Sequence, residues 1–164
     1  MPGFEVLYQA AALCLMYPDD GFRTRLPLLR EAAPQLREFA DHAAVTPQRE
    51  LAAHYVEVFE SGHREHSLYL RVWREAAPAP SEDLYRAHGL RTTGEEPPDF
   101  LPAVLELAAR TGTTRPLTDH RDGLESLRTG LTSFGTPYAA VLDAVCATLP
   151  PAVTAAPGAR LPRP

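Results

Sequence analysis

The sequence predicts an all-α fold, a single-domain bundle of about seven to eight helices, and three observations carry that expectation. Every apolar periodicity along the chain lies near 3.6 residues. No segment alternates apolar and polar residues as a half-buried strand does. Helix-start signals of the Thr-Pro type stand at Thr46-Pro47 and Thr136-Pro137, ahead of apolar stripes.

Phe4, Leu7, Tyr8, Ala11 and Leu15 fall on one face of a first helix. Tyr17-Pro18-Asp19-Asp20-Gly21 reads as a turn. Phe22, Leu26, Leu29, Ala33 and Leu36 keep helical register, with Pro27 and Pro34 expected to break or kink the segment. After Thr46-Pro47, the stripe Leu51, Tyr55, Val58 and Phe59 runs until Gly62. A short helix is expected from Ser67 through Trp73, then a loop over Ala76 to Pro80. Ser81-Glu82-Asp83 opens a brief helix that stops at Gly89. The polar stretch Arg91 to Pro98 feeds a strongly apolar helix from Asp99 to about Arg110, in which Pro102 falls in the first turn, where it is tolerated. Leu124, Leu127, Leu131 and Phe134 mark a penultimate helix, and Tyr138, Val141, Leu142, Val145 and Leu149 the last. Residues 1–149 are thus expected to form one domain, and 150–164, rich in proline and alanine, a disordered tail.

With 164 residues, the chain is long enough to bury roughly 70% of its unfolded surface. A formal charge of −5 argues against a nucleic-acid partner and suits one that carries positive charge. All 16 basic residues are arginine, which reflects base composition more than function. No 18-residue apolar run is present, so no membrane span is expected. Met1 to Phe4 opens without the basic and apolar stretches of a secretory signal, so a cytoplasmic location is expected, with Cys14 and Cys146 as free, buried thiols.

Enzymatic chemistry finds little support. Gly62, Gly89 and Gly94 are isolated rather than gathered in a phosphate loop, and no Gly-x-Ser-x-Gly elbow occurs. His63-x-x-His66, with His54 one helix earlier and Glu60 and Glu65 nearby, is the one cluster that suggests a metal. It lacks thiolates and the HExxH spacing, so ordinary surface histidines are the simpler expectation. Two segments stand out instead, Tyr55-Val56-Glu57-Val58-Phe59-Glu60 with the later Ser67-Leu68-Tyr69-Leu70, and Glu95-Glu96-Pro97-Pro98-Asp99-Phe100-Leu101-Pro102. Each sets aromatic residues beside carboxylates at a helix edge. Their aromatics either belong to the core or floor a groove with an acidic rim, suited to an amphipathic basic helix.

These segments also carry a resemblance. Tyr55-x-x-x-Phe59-Glu60, Arg64-x-x-Ser67-Leu68-Tyr69-Leu70, Tyr85-Arg86-x-x-Gly89 and Glu96-x-Pro98-Asp99-Phe100-Leu101-Pro102 occur in the order found in the delta-subunit (NarJ-type) chaperones of respiratory nitrate reductase, a branch of the TorD/DmsD group. Tyr17-Pro18-Asp19 and Ser133-x-x-x-Pro137-Tyr138-Ala139 also resemble this family, so the likeness spans roughly residues 4 to 148. Arg71 to Pro80 departs from it, holding neither the Gly-Asp element nor the Arg-Gly pair usual there, and Phe100 stands where the wider group often has histidine.

The resemblance implies a TorD/NarJ-like helical fold, no catalysis and no cofactor. The implied partner is the N-terminal peptide of an apo molybdoenzyme catalytic subunit, kept competent for molybdenum cofactor insertion before membrane attachment. A monomer or weak dimer is expected. The implied peptide-binding residues are Tyr55, Val58, Phe59, Glu60, Ser67, Tyr69, Glu96, Pro98, Asp99 and Phe100. The rival readings are a helical sensor for a metal or small ligand around His63 and His66, and a structural subunit of a helical complex, which would co-purify in a stable assembly. Because the histidines lack well-spaced partners, chelator treatment is expected to leave the melting temperature unchanged. A large drop would favour the sensor.

Overall fold

The computed structural model describes residues 4–60, 66–69 and 100–150, and every structural statement below concerns these. They form eight α-helices, one 3₁₀ turn and one π-helical turn, with no strand beyond a single isolated bridge. The expected brief helix over 81–89 and the tail after 150 lie outside the described residues.

Two helices form the centre. Helix α1 (Glu5–Cys14) buries Leu7, Tyr8, Ala10, Ala11, Ala12 and Cys14, more than one face of its surface. A helix apolar nearly all round belongs inside a bundle rather than on its surface. Its main neighbour lies far along the chain, α5 (Leu101–Thr111), which buries Leu101 to Leu105 and Leu107 to Ala109. Alanines on both helices let the two backbones approach closely.

Helix α2 (Asp20–Ala32) starts because the Asp19 carboxylate accepts the Phe22 N–H at 2.8 Å, giving the expected turn a capping role. Phe22, Leu26 and Leu29 face the core. Contrary to expectation, Pro27 does not break it: Pro27 is exposed within a continuous helix, so only a solvent-side hydrogen bond is forgone. The break comes at Ala33, before the 3₁₀ turn Pro34–Leu36. Helix α3 (Arg37–Val45) follows, burying Phe39, Ala40 and Ala43.

Thr46 does not cap α4 (Gln48–Tyr55); its hydroxyl donates back to the His42 carbonyl at 2.6 Å. Arg23 and Gln48 hold the α3–α4 junction instead. Arg23 donates to the carbonyls of Ala43 and Thr46, while Gln48 Nε2 donates to Pro18 O at 2.7 Å. At Thr136-Pro137 the Thr136 Oγ1 accepts the Tyr138 N–H at 3.2 Å, closing a turn just ahead of the last helix, but the N-cap position is Pro137 and carries no side-chain cap, so the expected threonine cap does not form there either.

Helices α6 (Arg115–Thr118), α7 (Arg121–Phe134) and α8 (Tyr138–Cys146) complete the described chain. Gly112 ends α5 with φ 70° and Gly135 ends α7 with φ 85°, left-handed stops that glycine adopts without a Cβ clash. Tyr8 links the first helix to the segment after the last. Thr148 gives its hydroxyl proton to Val145 O, so the Tyr8 hydroxyl donates to Thr148 Oγ1 at 2.6 Å. No described helix is long and apolar enough to cross a membrane.

Cys14 and Cys146 are free and buried, as expected. Burial pushes both thiols up, Cys146 to about 11 from 9.0, with Glu125 adding to the effect. Burial likewise raises Tyr8, Tyr55 and Tyr138. A raised folded-state pKa gives stability that is fully present below the unfolded pKa and is lost as pH rises through the folded one. The denaturant midpoint is therefore expected to hold up to about pH 9 and to fall between pH 9 and 11 as the unfolded thiols ionise first. A midpoint flat across that window in a urea titration would contradict the burial of these groups.

Candidate peptide-binding face

Helix α4 does not simply end at Tyr55. It widens into a π-helical turn, Val56–Glu60, a rare geometry that is often found at functional positions. The wider turn sorts the side chains. Val58 points fully inward, Phe59 lies half-buried against the core, and Val56, Glu57 and Glu60 are exposed.

Core aromatics hold Phe59 from behind. Its ring lies 4.8 Å from that of Tyr138 in a T-shaped arrangement and 5.0 Å from that of Tyr55. Tyr55 is itself anchored, its hydroxyl donating to Leu15 O at 3.1 Å, and exposed Tyr17 meets it edge-on at 5.8 Å.

A second piece comes from the short segment His66–Tyr69. It was expected to start a helix through Trp73, yet Ser67 to Tyr69 are not helical and Tyr69 forms an antiparallel bridge with Phe100. The Leu101 N–H donates to Leu68 O at 2.8 Å, so an orphan donor at the start of α5 finds its acceptor in this segment. That bond competes with helix formation and wins, because Leu68 is buried there and the Tyr69 and Phe100 rings meet at 4.9 Å. Ser67 Oγ accepts the Tyr69 N–H at 3.0 Å and stiffens the turn.

The two pieces are close to each other. The His66 ring nitrogen Nδ1 lies 3.3 Å from Val58 O and so ties the second segment to the π turn. The resulting face has Phe59, Tyr69 and Phe100 as partly exposed aromatics and Glu60 as an exposed carboxylate. It can bury apolar side chains of a peptide and attract a basic one, but it has no arrangement for bond-making chemistry.

Two of the expected contact residues are buried. Val58 is 0% exposed and Tyr55 3%, so both belong to the core and support the face from beneath. Their places in the Leu51–Phe59 stripe already put them on the inner side. Glu96, Pro98 and Asp99 lie outside the described residues, as does His63. His66, expected at the surface, is 3% exposed. Its Nδ1–H donates to Val58 O at 3.3 Å, and its ring meets Phe134 edge-on at 4.9 Å. Among the described residues no group of three or more His, Cys, Asp or Glu is placed to hold a metal.

Sequence reasoning missed Phe134, which is 38% exposed and lies against His66 beside this face. Phe134 ends the α7 stripe in register, so periodicity assigned it to the core. The signal against that was its position at the last residue before Gly135.

Comparison with known proteins agrees with this architecture. Residues 26–144 match the family model described as nitrate reductase delta subunit. A nitrate reductase-like protein, NarX, of Mycobacterium tuberculosis is 30% identical over 160 residues, covering 88% of this chain. The match spans only 24% of that longer protein. A Bacillus subtilis protein described as a nitrate reductase molybdenum cofactor assembly chaperone, NarJ, is 29% identical over 122 residues, covering 64% of this chain and 65% of its own length. A crystal structure described as a redox enzyme maturation protein from Archaeoglobus fulgidus superposes with a TM-score of 0.73 at 21% identity, covering 90% of this chain and 94% of that one. At that identity the likeness establishes a shared fold.

If the Tyr69–Phe100 contact holds the segment in place, Phe100→Ala is expected to speed hydrogen exchange at the Leu101 amide roughly tenfold, about 1.4 kcal/mol of local opening. Exchange in the middle of α8 should stay unchanged. Equal acceleration at both places would mean that Phe100 supports the whole core instead.

Proposed function

The chain belongs to the nitrate reductase delta subunit family, and from that premise we propose that it is a non-enzymatic assembly chaperone for a molybdoenzyme, with respiratory nitrate reductase as the client. It binds the N-terminal segment of the apo catalytic subunit. It keeps that subunit competent for molybdenum cofactor insertion, ahead of attachment to the membrane partner, in the cytoplasm and as a monomer or weak dimer. The Bacillus subtilis relative, described as a nitrate reductase molybdenum cofactor assembly chaperone, supports this reading.

The observation that carries it is the meeting of segments distant in sequence, Tyr69 bridged to Phe100 with their rings 4.9 Å apart, and His66 reaching the Val58 carbonyl of the turn that carries Phe59 and Glu60. Phe59, Tyr69 and Phe100 take the apolar side chains of the client helix. Glu60, together with Glu96 and Asp99 of the preceding segment, attracts its arginines or lysines, while Pro98 and Ser67 shape the edges. Exposed carboxylates contribute more to encounter rate and orientation than to affinity. The sensor reading around His63 and His66 is weakened because His66 is buried with Nδ1 on the Val58 carbonyl.

Isothermal titration with N-terminal peptides of candidate molybdoenzyme subunits tests the proposal. Glu60→Gln combined with Asp99→Asn is expected to weaken binding at low salt and to have little effect above about 0.1 M, where exposed charges are screened. Phe59→Ala is expected to weaken binding at every salt concentration by roughly 1.5–3 kcal/mol of lost apolar burial. Because Phe59 also packs on Tyr138, exposed Tyr69→Ala is the companion variant, with circular dichroism confirming that each is folded. Folded variants that all bind like the parent would move the site elsewhere. Failure of the parent to bind any such peptide would refute leader recognition.

A further inference from the structure

Away from the aromatic face, a cleft of about 420 Å³ opens between the start of α1, the start of α3 and the outer side of α8. Phe4, Leu7 and Ala140 give it apolar walls, and Glu38, Asp143 and Thr148 line it with polar groups. None of its lining residues is basic. Arg128 pairs with Asp143 from the α7 side at 3.2 Å, whereas Glu38 is exposed on α3.

The chain leaves α8 beside this cleft. Thr148 lines it, and Arg121 donates to the Pro150 carbonyl, which fixes the point of departure. The sequence that follows, residues 151–164, carries Arg160 and Arg163 as its only charged side chains, with Val153 and Leu161 as its larger apolar ones. We infer that this segment occupies the cleft in cis, setting Leu161 against the apolar walls and its arginines toward Glu38 and Asp143.

Reach and concentration agree with this. Ala140 and Thr148 are about 12 Å apart along the helix at 1.5 Å per residue. Ten residues treated as a random coil span roughly 17 Å r.m.s., so the distance from Pro150 to Arg160 is enough to return along α8. Tethering at such a length gives an effective concentration on the order of millimolar, so even a weak apolar and ionic fit is populated. The occupant is thus chosen by sign of charge, by apolar match and by proximity, independently of the client site.

The test uses the full chain with a nitroxide on Pro164→Cys, the two native thiols being buried, and reads paramagnetic broadening at the Ala140 and Ala144 amides. The parent is expected to show broadening that is reduced at about 0.5 M salt. It should be lost in Glu38→Arg and in the Arg160→Glu, Arg163→Glu pair, and restored when all three changes are combined. Absence of broadening in the parent would overturn the inference, as would broadening indifferent to every charge change or a combined variant that fails to restore it. Shifts at these amides on adding an oligo-arginine peptide, without broadening in the parent, would assign the cleft to another chain and equally overturn occupation in cis.

Discussion

Much of the structure depends on the burial of one ring, that of Tyr138. At 1% exposure it stands at the start of α8 and meets Phe39 of α3 at 4.9 Å, Tyr55 of α4 at 6.1 Å and Phe59 of the π turn at 4.8 Å. His54 lies parallel to it at 5.8 Å, with Nε2 2.7 Å from Thr136 Oγ1 just before the helix. Aromatic pairs in such tilted and edge-on geometries add about 0.5–1.5 kcal/mol each beyond their area. The greater consequence is positional. Three segments from the first sixty residues are registered against one side chain from the last thirty, so the α3–α4 unit cannot slide along α8 without breaking several ring contacts together.

The candidate face inherits its rigidity from this arrangement. Phe59 is held against two buried tyrosines, so little conformational freedom remains to be lost when a peptide arrives. On the other side, among the described residues, the face is held by an isolated antiparallel bridge between Tyr69 and Phe100, to which the Leu101 N–H to Leu68 O hydrogen bond belongs, and by the contact of the two rings. That is a lighter attachment, since an isolated bridge lacks the neighbouring ladder bonds that make a sheet cooperative. The face therefore joins a well-packed wall to a more easily displaced one, a combination suited to the proposed binding and release of a peptide.

The helices were legible in the sequence because a 3.6-residue apolar stripe has few alternative structures over ten or more residues. Leu124, Leu127 and Leu131, or Val141, Leu142 and Val145, needed no tertiary context to be placed on inner faces. What escaped the pattern was decided by tertiary contacts. Thr46 resembled a helix cap in sequence, yet Arg23 and Gln48 reached its junction and its hydroxyl turned back to His42. Ser67 to Tyr69 had an apolar pattern compatible with a helix, but the orphan Leu101 amide claimed the Leu68 carbonyl. Of the expected contact residues, Phe59, Glu60, Ser67, Tyr69 and Phe100 are half-buried or exposed, whereas Val58 and Tyr55 are core. A stripe says which side faces inward, not which of its members lies deep enough to be closed off.

Helix α8 also relates the aromatic face to the α1–α3–α8 cleft. Tyr138, at its first position, is directed to the aromatic centre, while Ala140, Asp143 and Ala144 line the opposite cleft. A nine-residue helix of this kind moves as a unit, so any shift that improved packing in the cleft would be felt at Tyr138 and hence at Phe59. Proximity alone does not make such coupling. A ligand shifts an equilibrium only by its differential affinity for two states, and the described helices offer one well-packed arrangement of Tyr138 rather than two. The simpler physical expectation is therefore independence. Occupation of the cleft should leave client affinity at the aromatic face unchanged unless it costs Tyr138 one of its ring contacts, and those contacts are what hold α3, α4 and α8 together.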